Sequence, residues 1–492
     1  MSIKSPSAQQ QEIFDWFAKG QGNLVIRARA GCGKTTTILQ AIQYAPEQKI
    51  LLAAFNKEIA SELKSRLSDQ RARAQTLHSL GYWFCRKNWA QLQIDEKRGM
   101  KLAQKAIPVK VDKLVIQAVA DLASKAKNVA PFASVSDLVD IALRFGIVGV
   151  ECATEDESWS IKDLANSAHV AMALACQHDG TIDYDDMIFL PVKNRWVFPL
   201  YQLVVIDEAQ DMNPAQLMLA KQSCRHNGRV VVVGDNCQAI YAFRGADSDA
   251  LDNLKQELRA KELGLNITYR CPKKVVALAA RLVSDFQAAP TAPEGIVDEG
   301  ELQFIHQDAA PGDFVLSRTN APLITVCLAI LRQGRPAYIR GRDIGASLCA
   351  LVRRMQVDTT QELLARIEDW RTDTLQKLKD EGANESAFQA VSDQASTIIV
   401  LSEGLVTTHE VLTRIQDLFS NDGKKEAVIC STIHRAKGLE SNRVFLLAKT
   451  LYCGLQNDGS SSESVEDVRL QEEINIHYVG LTRSKFHLTM VR

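Results

Sequence analysis

Residues Asn23–Thr35 read NLVIRARAGCGKT, and this stretch decides the fold class of the chain. Its first half is an apolar run typical of a buried strand, its second half is rich in glycine, and Thr36–Ile42 continues as the start of a helix. Strand, glycine-rich turn and helix is the context of a P-loop, in which backbone N–H groups surround phosphate oxygens. Ala28 stands where the general GxxxxGK(S/T) pattern has its first glycine, and a small side chain is tolerated there. The stretch therefore predicts an α/β domain with a phosphate-binding loop.

The loop is predicted to hold a nucleotide through backbone N–H groups and two side chains. Lys34 can reach the β- and γ-phosphates, and the Thr35 hydroxyl can ligate Mg²⁺. The N-terminus of the following helix adds a partial positive charge at the same place. The residues of the loop that are predicted to contact the nucleotide are Ala30, Gly31, Cys32, Gly33, Lys34, Thr35 and Thr36.

A second apolar run ends in two acidic residues. Leu203–Asp211 reads LVVIDEAQD, so a run typical of a buried parallel strand precedes Asp207 and Glu208. Ligands of open α/β sheets bind at the carboxyl ends of the strands, so both acids are expected beside the phosphate loop. Asp207 is predicted to hold Mg²⁺ together with Thr35. Glu208 is predicted to orient and deprotonate the attacking water.

A third apolar run leads into a segment that combines polar and aromatic groups. Val230–Asp247 reads VVVVGDNCQAIYAFRGAD, a strand followed within a few residues by Gln238, by Tyr241 and Phe243, and by Arg244. A group that senses phosphate and groups that stack on bases would then lie close together. Such proximity is expected of a protein that couples nucleotide hydrolysis to movement along a nucleic acid.

These motifs resemble those of superfamily 1 helicases of the UvrD/Rep type, and they occur in that family's order over nearly the whole chain. The matching segments are Ser7–Gln10 (SAQQ), Ala54–Lys57 (AFNK), Thr76–Ser79 (TLHS), Asp207–Asp211 (DEAQD), Gly234–Ala246 (GDNCQAIYAFRGA), Tyr269–Arg270, Thr432–Glu440 (TIHRAKGLE) and Tyr478–Arg483 (YVGLTR). Phe243 stands where the family commonly has a tryptophan. The resemblance implies a Mg²⁺- and ATP-dependent motor that moves 3′→5′ on single-stranded DNA.

The resemblance also implies roles for residues that no local pattern would single out. Gln10 would read the adenine and Tyr269 would stack on it, while Glu440 would contact the ribose. Arg270 and Arg483 would act as arginine fingers, planar donors that stabilise charge on the transferred phosphoryl group. Gln238 would report the γ-phosphate to the neighbouring aromatic residues. The implied DNA contacts are Phe55, Asn56, Thr76, His78, Tyr241, Phe243, Arg244, His434 and Lys437.

The predicted fold is α/β, with two RecA-like P-loop motor domains that are each interrupted by a mainly helical insertion. The long separation of Lys34 from Asp207 exceeds what one βαβ crossover needs, so an insertion must lie between them. The first motor domain is assigned to residues 1–80 and 198–260, and its insertion to 81–197. The second motor domain is assigned to 261–345 and 426–492, and its insertion to 346–425. This second insertion is smaller than is usual in the family.

Composition limits the class of protein more than it limits the function. The chain has 492 residues and a formal net charge of −1, so global charge neither supports nor excludes a nucleic-acid partner. No apolar run approaches the ~20 residues that span a bilayer. The eleven cysteines contain no CxxC pair, which favours a reducing, cytoplasmic location. Because the net charge is close to zero, any basic surface must be confined to part of the molecule.

Two interpretations of function remain open from the sequence. One is an autonomous helicase or translocase that acts on single-stranded DNA and on junctions of single and double strands. The other is an ATP-switched DNA-binding or translocase subunit that needs a protein partner, such as a nuclease, and unwinds poorly alone; the small second insertion favours it. GTP is less suited than ATP to Gln10 and Tyr269. The segment Tyr82–Trp89 (YWFCRKNW) is either a DNA-tracking surface or a buried helix with a basic edge.

Phe243→Ala distinguishes the two interpretations. Base stacking on one aromatic ring is worth roughly 1–3 kcal/mol and does not depend on base identity. In a motor, the variant is expected to keep part of its ATP hydrolysis and to lose strand movement. In a switch, it is expected to lose little besides DNA affinity. Phosphate release and strand displacement are measured together, and movement equal to that of the parent would contradict the assignment of Phe243.

Overall fold

A computed structural model describes residues 5–19, 21–147, 150–151, 158–240, 250–380, 385–420, 426–451 and 463–492. The chain divides into two compact units. The first contains the residues up to Ala28 and those from Gly33 to Leu265. The second contains the short loop Arg29–Cys32 and the segments Asn266–Lys379 and Glu385–Arg492.

The first unit alternates strands and helices, with a helical segment between two parts of its main sheet. In chain order, the elements before that segment are α1 (Ala8–Lys19), β1 (Leu24–Ala28), α2 (Lys34–Ala41), β2 (Ile50–Ala54), α3 (Lys57–Arg66), β3 (Ala72–Thr76) and α4 (Leu77–Asn88). The helical segment contains β4 (Gln93–Ile94), α5 (Arg98–Ala106), α6 (Lys113–Val129), α7 (Val135–Arg144), β5 (Val150–Glu151), β6 (Ser158–Trp159), α8 (Ile161–Ala175), β7 (Thr181–Ile182) and α9 (Asp186–Lys193). The elements that follow are β8 (Tyr201–Ile206), α10 (Pro214–Gln222), β9 (Cys224–Gly234), α11 (Ala250–Leu258) and β10 (Lys261–Leu265).

Six parallel strands form the main sheet of the first unit, in the order β10-β1-β9-β8-β2-β3. The strands predicted from the apolar runs, β1, β8 and β9, are neighbours at its centre. They are buried because helices cover both faces of a parallel sheet, which explains their continuous apolar sequences. The predicted α/β fold class is therefore confirmed for this unit.

The last strand of this sheet differs from the prediction. Lys261–Leu265 pairs with β1 at the edge of the first sheet, although the sequence assigned residues from 261 onward to the second motor domain. Its alternation of exposed residues with the buried Leu263 and Leu265 is typical of an edge strand. Such a pattern shows that a strand forms and says nothing about which sheet it joins.

The helical segment of the first unit has a hydrophobic core of its own. Its buried residues run from Cys85 to Leu190 and include the apolar faces of α5, α6, α7 and α8. Buried residues of the main sheet itself, such as Leu51, Val204 and Val232, form a separate cluster. The predicted insertion is thus a subdomain that packs its own core.

The second unit also alternates strands and helices. In chain order its elements are β11 (Ile267–Thr268), α12 (Lys273–Ala279), β12 (Gln287–Ala288), β13 (Ile296–Gly300), α13 (Ile305–Asp308), β14 (Phe314–Ser317), α14 (Ala321–Arg332), β15 (Ala337–Arg340), α15 (Arg342–Arg354), α16 (Thr360–Asp380), α17 (Glu385–Ser402), α18 (Thr408–Leu418), β16 (Phe419–Ser420), β17 (Val428–Thr432), α19 (Ile433–Ala436), β18 (Ser441–Leu447), α20 (Glu463–Leu481) and β19 (Ser484–Val491). Seven of its strands form a parallel sheet in the order β13-β19-β18-β14-β17-β15-β16.

The helices predicted as the second insertion share the core of this sheet. Leu363 and Ile367 of α16 and Ile398 of α17 belong to one buried cluster with Val315 of β14 and Cys430 of β17. The range 346–425 also supplies β16, an edge strand paired with β15. In contrast to the first insertion, this segment is continuous with the core of its unit. Among the described helices, none is long and apolar enough to cross a membrane.

Ile367→Ala tests this shared core. The side chain is fully buried, so its truncation is expected to destabilise the second unit by about 2–5 kcal/mol. Because the core is shared, faster amide hydrogen exchange is expected in β14 and β17 as well as in α16. Exchange measured by mass spectrometry checks this, with the exposed Arg366→Ala as the control. Faster exchange confined to α16–α18 would instead mean an independently folding insertion.

Candidate active site

Three strands of the first unit end at the same edge of its sheet. β1, β9 and β8 are adjacent and parallel, so the chain after Ala28, after Gly234 and after Ile206 emerges side by side. The residues that follow these strands are those of the phosphate loop, Asp207 and Asp235. This topology brings together, in one place, the three motifs that the sequence analysis identified separately.

Two glycines allow the phosphate loop to adopt its conformation. Gly33 has φ +77° and ψ +31°, left-handed values, directly before α2 begins at Lys34. Gly31 has φ +69°, and a Cβ atom at this position would lie 2.5 Å from the Arg270 Cβ and 2.6 Å from the Thr268 Oγ1. Gly31 is therefore required both by its backbone conformation and by the close approach of its neighbours.

The loop lysine is paired with the predicted catalytic base. Lys34 Nζ lies 2.7 Å from Glu208 Oε1 and donates a hydrogen bond of 2.9 Å to Oε2. Glu208 itself has φ +51° and ψ +44°, a left-handed conformation that costs a non-glycine residue about 1–3 kcal/mol. Strain of this kind persists where the surrounding structure holds a residue in place, and here it sets the position of the Glu208 carboxylate.

Asp207 is buried at the end of β8, and its surroundings favour a cation. Burial, together with the neighbouring Glu208 carboxylate, raises the pKa of Asp207 to about 7. Its Oδ1 accepts the backbone N–H of Glu208 at 3.0 Å. A buried carboxylate with a raised pKa gains stability from a bound positive charge. The donors available from Asp207 and Thr35 are oxygens, the ligand type that Mg²⁺ prefers, and Mg²⁺ ordinarily completes its shell with water and substrate phosphate.

Gln210 links the acidic motif to the following motif, and the sequence analysis missed it. Its Nε2 donates to Glu208 Oε2 at 2.6 Å, and its Oε1 accepts the backbone N–H of Asp235 at 3.0 Å. Gly234 makes room for this side chain, since a Cβ atom there would lie 2.5 Å from Gln210 Oε1. The glutamine within DEAQD was quoted without a role; its fixed place two residues after the catalytic pair was the available signal.

The predicted phosphate sensor Gln238 is held by a buried aspartate. Gln238 Nε2 donates to Asp235 Oδ2 at 2.6 Å, and the same carboxylate accepts the backbone N–H of Cys237 through Oδ1 at 3.2 Å. Both Asp235 and Gln238 are buried. Asp235 thereby fixes the short turn that carries Gln238. A continuous set of contacts runs from Lys34 through Glu208 and Gln210 to this turn.

Gln10 lies beside the phosphate-loop helix and also caps α1. Its Oε1 accepts the backbone N–H of Ser7 at 3.0 Å, while Ser7 Oγ accepts the Gln10 N–H at 3.2 Å, a reciprocal capping box. Its Nε2 donates to Thr37 Oγ1 in α2 at 3.1 Å. Thr36, the last residue of the predicted phosphate-loop contacts, lies directly before Thr37. Its Oγ1 accepts a hydrogen bond of 2.6 Å from Arg66 Nη2. The contact to Thr37 brings Gln10 next to the predicted nucleotide-binding helix.

The second unit places two basic residues beside Glu440. Arg270 Nε lies 2.5 Å from Glu440 Oε2, and Lys485 Nζ lies 3.5 Å from Oε1. Burial opposes ionisation of Glu440, yet the positive charges of Arg270 and Lys485 prevail and lower its pKa. Glu440, predicted to contact ribose, is thus engaged by two cations in this structure. Lys485 is a neighbour that the sequence analysis did not identify.

Arg483 is only 1% exposed, although its guanidinium carries a charge. Its Nε donates to the Val479 carbonyl at 2.9 Å, Nη1 to the Leu439 carbonyl at 3.2 Å, and Nη2 to Thr482 Oγ1 at 3.1 Å. Burial, and then the nearby Arg270, lower the pKa of Arg483 to about 10. None of its hydrogen bonds goes to a carboxylate within the described residues. A bound anion would stabilise the charged form of a guanidinium that is buried in this way.

Two tyrosines of the second unit contact the loop Arg29–Cys32, which groups with that unit. Tyr478 Oη accepts the Ala30 N–H at 3.0 Å from a fully buried ring. The Tyr269 N–H donates to the Gly31 carbonyl at 2.9 Å, while the Tyr269 side chain is 55% exposed. The exposed ring is accessible for the stacking predicted from the resemblance. Tyr478 was quoted only as the start of a motif, and its hydroxyl contact was not predicted.

The predicted DNA contacts of the first unit lie at the ends of two neighbouring strands. Ala54 of β2 pairs with Thr76 of β3, so the segments that follow the two strands begin side by side. Asn56 caps α3 by accepting the Ile59 N–H at 2.8 Å, and Thr76 caps α4 by accepting the Ser79 N–H at 3.1 Å. Phe55 adjoins Asn56 and His78 adjoins Thr76.

The remaining predicted DNA contacts are in α19, just after it, or outside the described residues. His434 lies within α19, Lys437 follows that helix, and both side chains are half-buried. Tyr241, Phe243 and Arg244 lie outside the described residues. Burial lowers the pKa of His78, so that side chain is expected to be neutral at pH 7.

Comparison with known proteins agrees with the motif order. The model of the UvrD/REP helicase N-terminal domain matches residues 8–259, and that of the UvrD-like helicase C-terminal domain matches residues 349–492. The chain is 26% identical to a probable DNA helicase II homolog of Mycoplasma pneumoniae over 302 residues, covering 56% of this chain and 42% of that protein.

Two further relatives are ATP-dependent DNA helicases by name. UvrD2 of Mycobacterium tuberculosis is 25% identical over 570 aligned positions, covering 96% of this chain and 76% of UvrD2. Rep of Escherichia coli is 27% identical over 296 residues, covering 54% of this chain and 41% of Rep. The chain therefore spans less than half the length of two of these three relatives.

Asp207→Asn is expected to stabilise the nucleotide-free, metal-free protein at high pH. Between about pH 4 and pH 7 the folded parent keeps a proton on Asp207 that the unfolded chain has lost, so its free energy of unfolding falls as pH rises through this window. Asparagine does not ionise, so the free energy of unfolding of the variant does not fall for this reason. The gain over the parent is expected to be near zero at pH 4 and on the order of 4 kcal/mol at pH 8.

Chemical unfolding with EDTA present, repeated from pH 4 to pH 8, measures this difference. The exposed Asp140→Asn on α7 is the matched control and is expected to show no such trend. A stability gain from Asp207→Asn that is equal at all pH values would contradict the assigned cause.

Proposed function

The chain belongs to the UvrD/REP helicase family, and on that premise we propose that it is an ATP-dependent DNA helicase or translocase. It couples Mg–ATP hydrolysis to 3′→5′ movement on single-stranded DNA and to separation of duplex strands. Membership of the family, the convergence of the motifs at one sheet edge, and the contacts between these motifs support this function.

The observation that carries the proposal is the set of contacts from Lys34 to the turn of Gln238. Lys34 pairs with Glu208, Glu208 accepts from Gln210, and Gln210 accepts from Asp235. A residue that contacts phosphate is thereby connected to the segment that leads into Tyr241 and Phe243. A set of packed contacts of this kind can carry coupling between hydrolysis and strand movement.

Hydrolysis is proposed to begin with an exchange of partners at Lys34. Phosphate oxygens of ATP attract the Lys34 ammonium, which frees the Glu208 carboxylate to accept a proton from water. Thr35 and Asp207 would hold Mg²⁺, which would neutralise part of the charge of the phosphates. Arg270 and Arg483 stabilise the charge of the transferred phosphoryl group, an assignment supported by the buried, carbonyl-bound state of the Arg483 guanidinium.

ATP is proposed over GTP because of Gln10 and Tyr269. The contact of Gln10 with Thr37 supports a place for its amide beside the nucleotide-binding helix, and the exposed ring of Tyr269 supports stacking. Glu440 contacts the ribose after leaving Arg270 and Lys485. The DNA partner is a single strand or a junction of single and double strands. We place the protein in the cytoplasm, consistent with nine described cysteines that are all free.

A second candidate function is an ATP-switched DNA-binding or translocase subunit that depends on a protein partner. The observation that favours it is the shared core of the second unit, in which 346–425 packs against the sheet rather than forming a subdomain. A segment packed in this way offers no separate body to act on duplex DNA. Under this candidate the ATP site is the same and strand separation needs the partner.

Strand separation on duplexes with a 3′ or a 5′ single-stranded tail tests the proposal, with phosphate release followed in the same reaction. The proposal expects opening of the 3′-tailed duplex alone. Glu208→Gln is expected to retain ATP binding and to lose hydrolysis by at least about 100-fold, since it removes the general base. The exposed Glu257→Gln on α11 is the matched control and is expected to behave as the parent.

Opening from the 5′ tail would refute the proposed direction. Hydrolysis that is stimulated by single-stranded DNA while both duplexes stay closed would select the second candidate. Hydrolysis that is indifferent to DNA would contradict both, because each requires communication between the DNA and the nucleotide.

A further inference from the structure

The first unit carries an exposed aromatic pair that the nucleotide site does not use. Trp83 on α4 is 39% exposed, and Phe198, between α9 and β8, is 41% exposed. Their ring centroids lie 5.5 Å apart, and the fully buried Phe84 ring lies 5.1 Å from Trp83 and 5.0 Å from Phe198. Contact with Phe84 orders the two exposed rings, so their faces are presented without a further loss of side-chain entropy.

The two segments that form this pair are basic, although the whole chain has a net charge of −1. Residues 77–89 and 193–200 contain four basic residues and no acidic residue. These are Arg86, Lys87, Lys193 and Arg195. Lys87 Nζ lies 5.6 Å from the centre of the Trp83 ring, and the Arg86 guanidinium lies 6.0 Å from the Tyr82 ring. Ordered rings and ordered cations thus occur side by side.

The same face of α4 continues toward its N-terminus. Ser79, Trp83 and Lys87 are exposed and follow one another at four-residue spacing, which places them on one side of the helix. Each such step advances about 6 Å along the axis. Ser79 closes the cap formed by Thr76, and the segment 76–79 is proposed to contact DNA. The aromatic pair is therefore a continuation of that proposed contact.

We infer that Trp83, Phe198 and Lys87 form an additional single-strand binding surface, where bases stack on the two rings and phosphates contact the basic side chains. Stacking on aromatic rings beside a basic surface is how proteins bind single strands without preference for sequence. The inference rests on the proposed function, because it extends the DNA footprint of that function along α4. The surface is a second binding site for the same DNA strand, outside the motor motifs.

A protein partner fits this surface less well. The centres of protein interfaces are depleted of lysine and charged residues, whereas this patch places Lys87 over the Trp83 ring itself. A duplex also fits less well, because its bases are stacked on one another and do not present their faces to a tryptophan ring.

Trp83→Leu tests the surface, since leucine keeps the apolar contact with Phe84 and removes the stacking face. Affinity for a fluorescent oligothymidine of about twenty nucleotides is expected to fall about 5- to 30-fold at fixed salt. Lys87→Ala is expected to reduce the slope of log affinity against log salt by about 0.7, the value for one phosphate contact on a single strand. An oligonucleotide carrying 5-iodouracil is expected to crosslink to a peptide that contains Trp83 or Phe198.

Phe304→Leu is the matched control, because Phe304 is an aromatic residue of similar exposure in the second unit, and its variant is expected to bind like the parent. Circular dichroism and the melting temperature establish that Trp83→Leu is folded. Parental affinity in both Trp83→Leu and Phe198→Leu, with no crosslink at either residue, would overturn the inference. If the parent self-associates and Trp83→Leu does not, while both bind DNA with the same affinity, the inference is also overturned and the surface is a protein contact.

The parent protein separates this outcome from failure of the proposed function. If the parent neither binds the oligonucleotide nor hydrolyses ATP faster in its presence, the proposed function fails and the inference with it. If the parent does both and the Trp83 and Phe198 variants match it, only the inference fails.

Discussion

The ion pair between Lys34 and Glu208 is the contact on which the geometry of the first unit's site depends. It joins the start of α2 to the end of β8 across the intervening strand β9, at 2.7 Å. For the carboxylate to reach the lysine, Glu208 must hold a left-handed backbone conformation, and for the lysine to approach, Gly33 must do the same before α2. The strained backbone of Glu208 is thus maintained by one charged contact and by the parallel sheet that supports it, whereas glycine adopts a positive φ without steric cost.

Each unit holds a buried charged group that a ligand of opposite sign would stabilise. Asp207 is a buried carboxylate with a raised pKa, and Arg483 is a buried guanidinium with a lowered pKa. Each charged state is destabilised by burial and would be stabilised by a partner of opposite sign. Under the proposed function, Mg²⁺ would be the partner of Asp207 and a phosphate the partner of Arg483.

The two insertions relate to their sheets in different ways, and the difference has functional consequences. The first builds its own core from Cys85 to Leu190, and the ordered groups Trp83 and Lys87 lie on α4, the helix that leads into it. The second merges with the sheet through residues such as Ile367 and supplies the edge strand β16. The first is therefore suited to carry a surface of its own, whereas the second mainly completes a core.

Sequence alone determined the α/β class, the phosphate loop and the strand before Asp207 and Glu208, because a glycine-rich turn and continuous apolar runs are local signals of buried parallel strands. The long separation of Lys34 from Asp207 also predicted an insertion between them, since one crossover needs far fewer residues. Only tertiary structure decided that Lys261–Leu265 joins the first sheet, that Gln210 connects Glu208 to Asp235, and that Tyr478 contacts Ala30. These features depend on which distant segments meet in space, and no local pattern of residues encodes the identity of a distant partner.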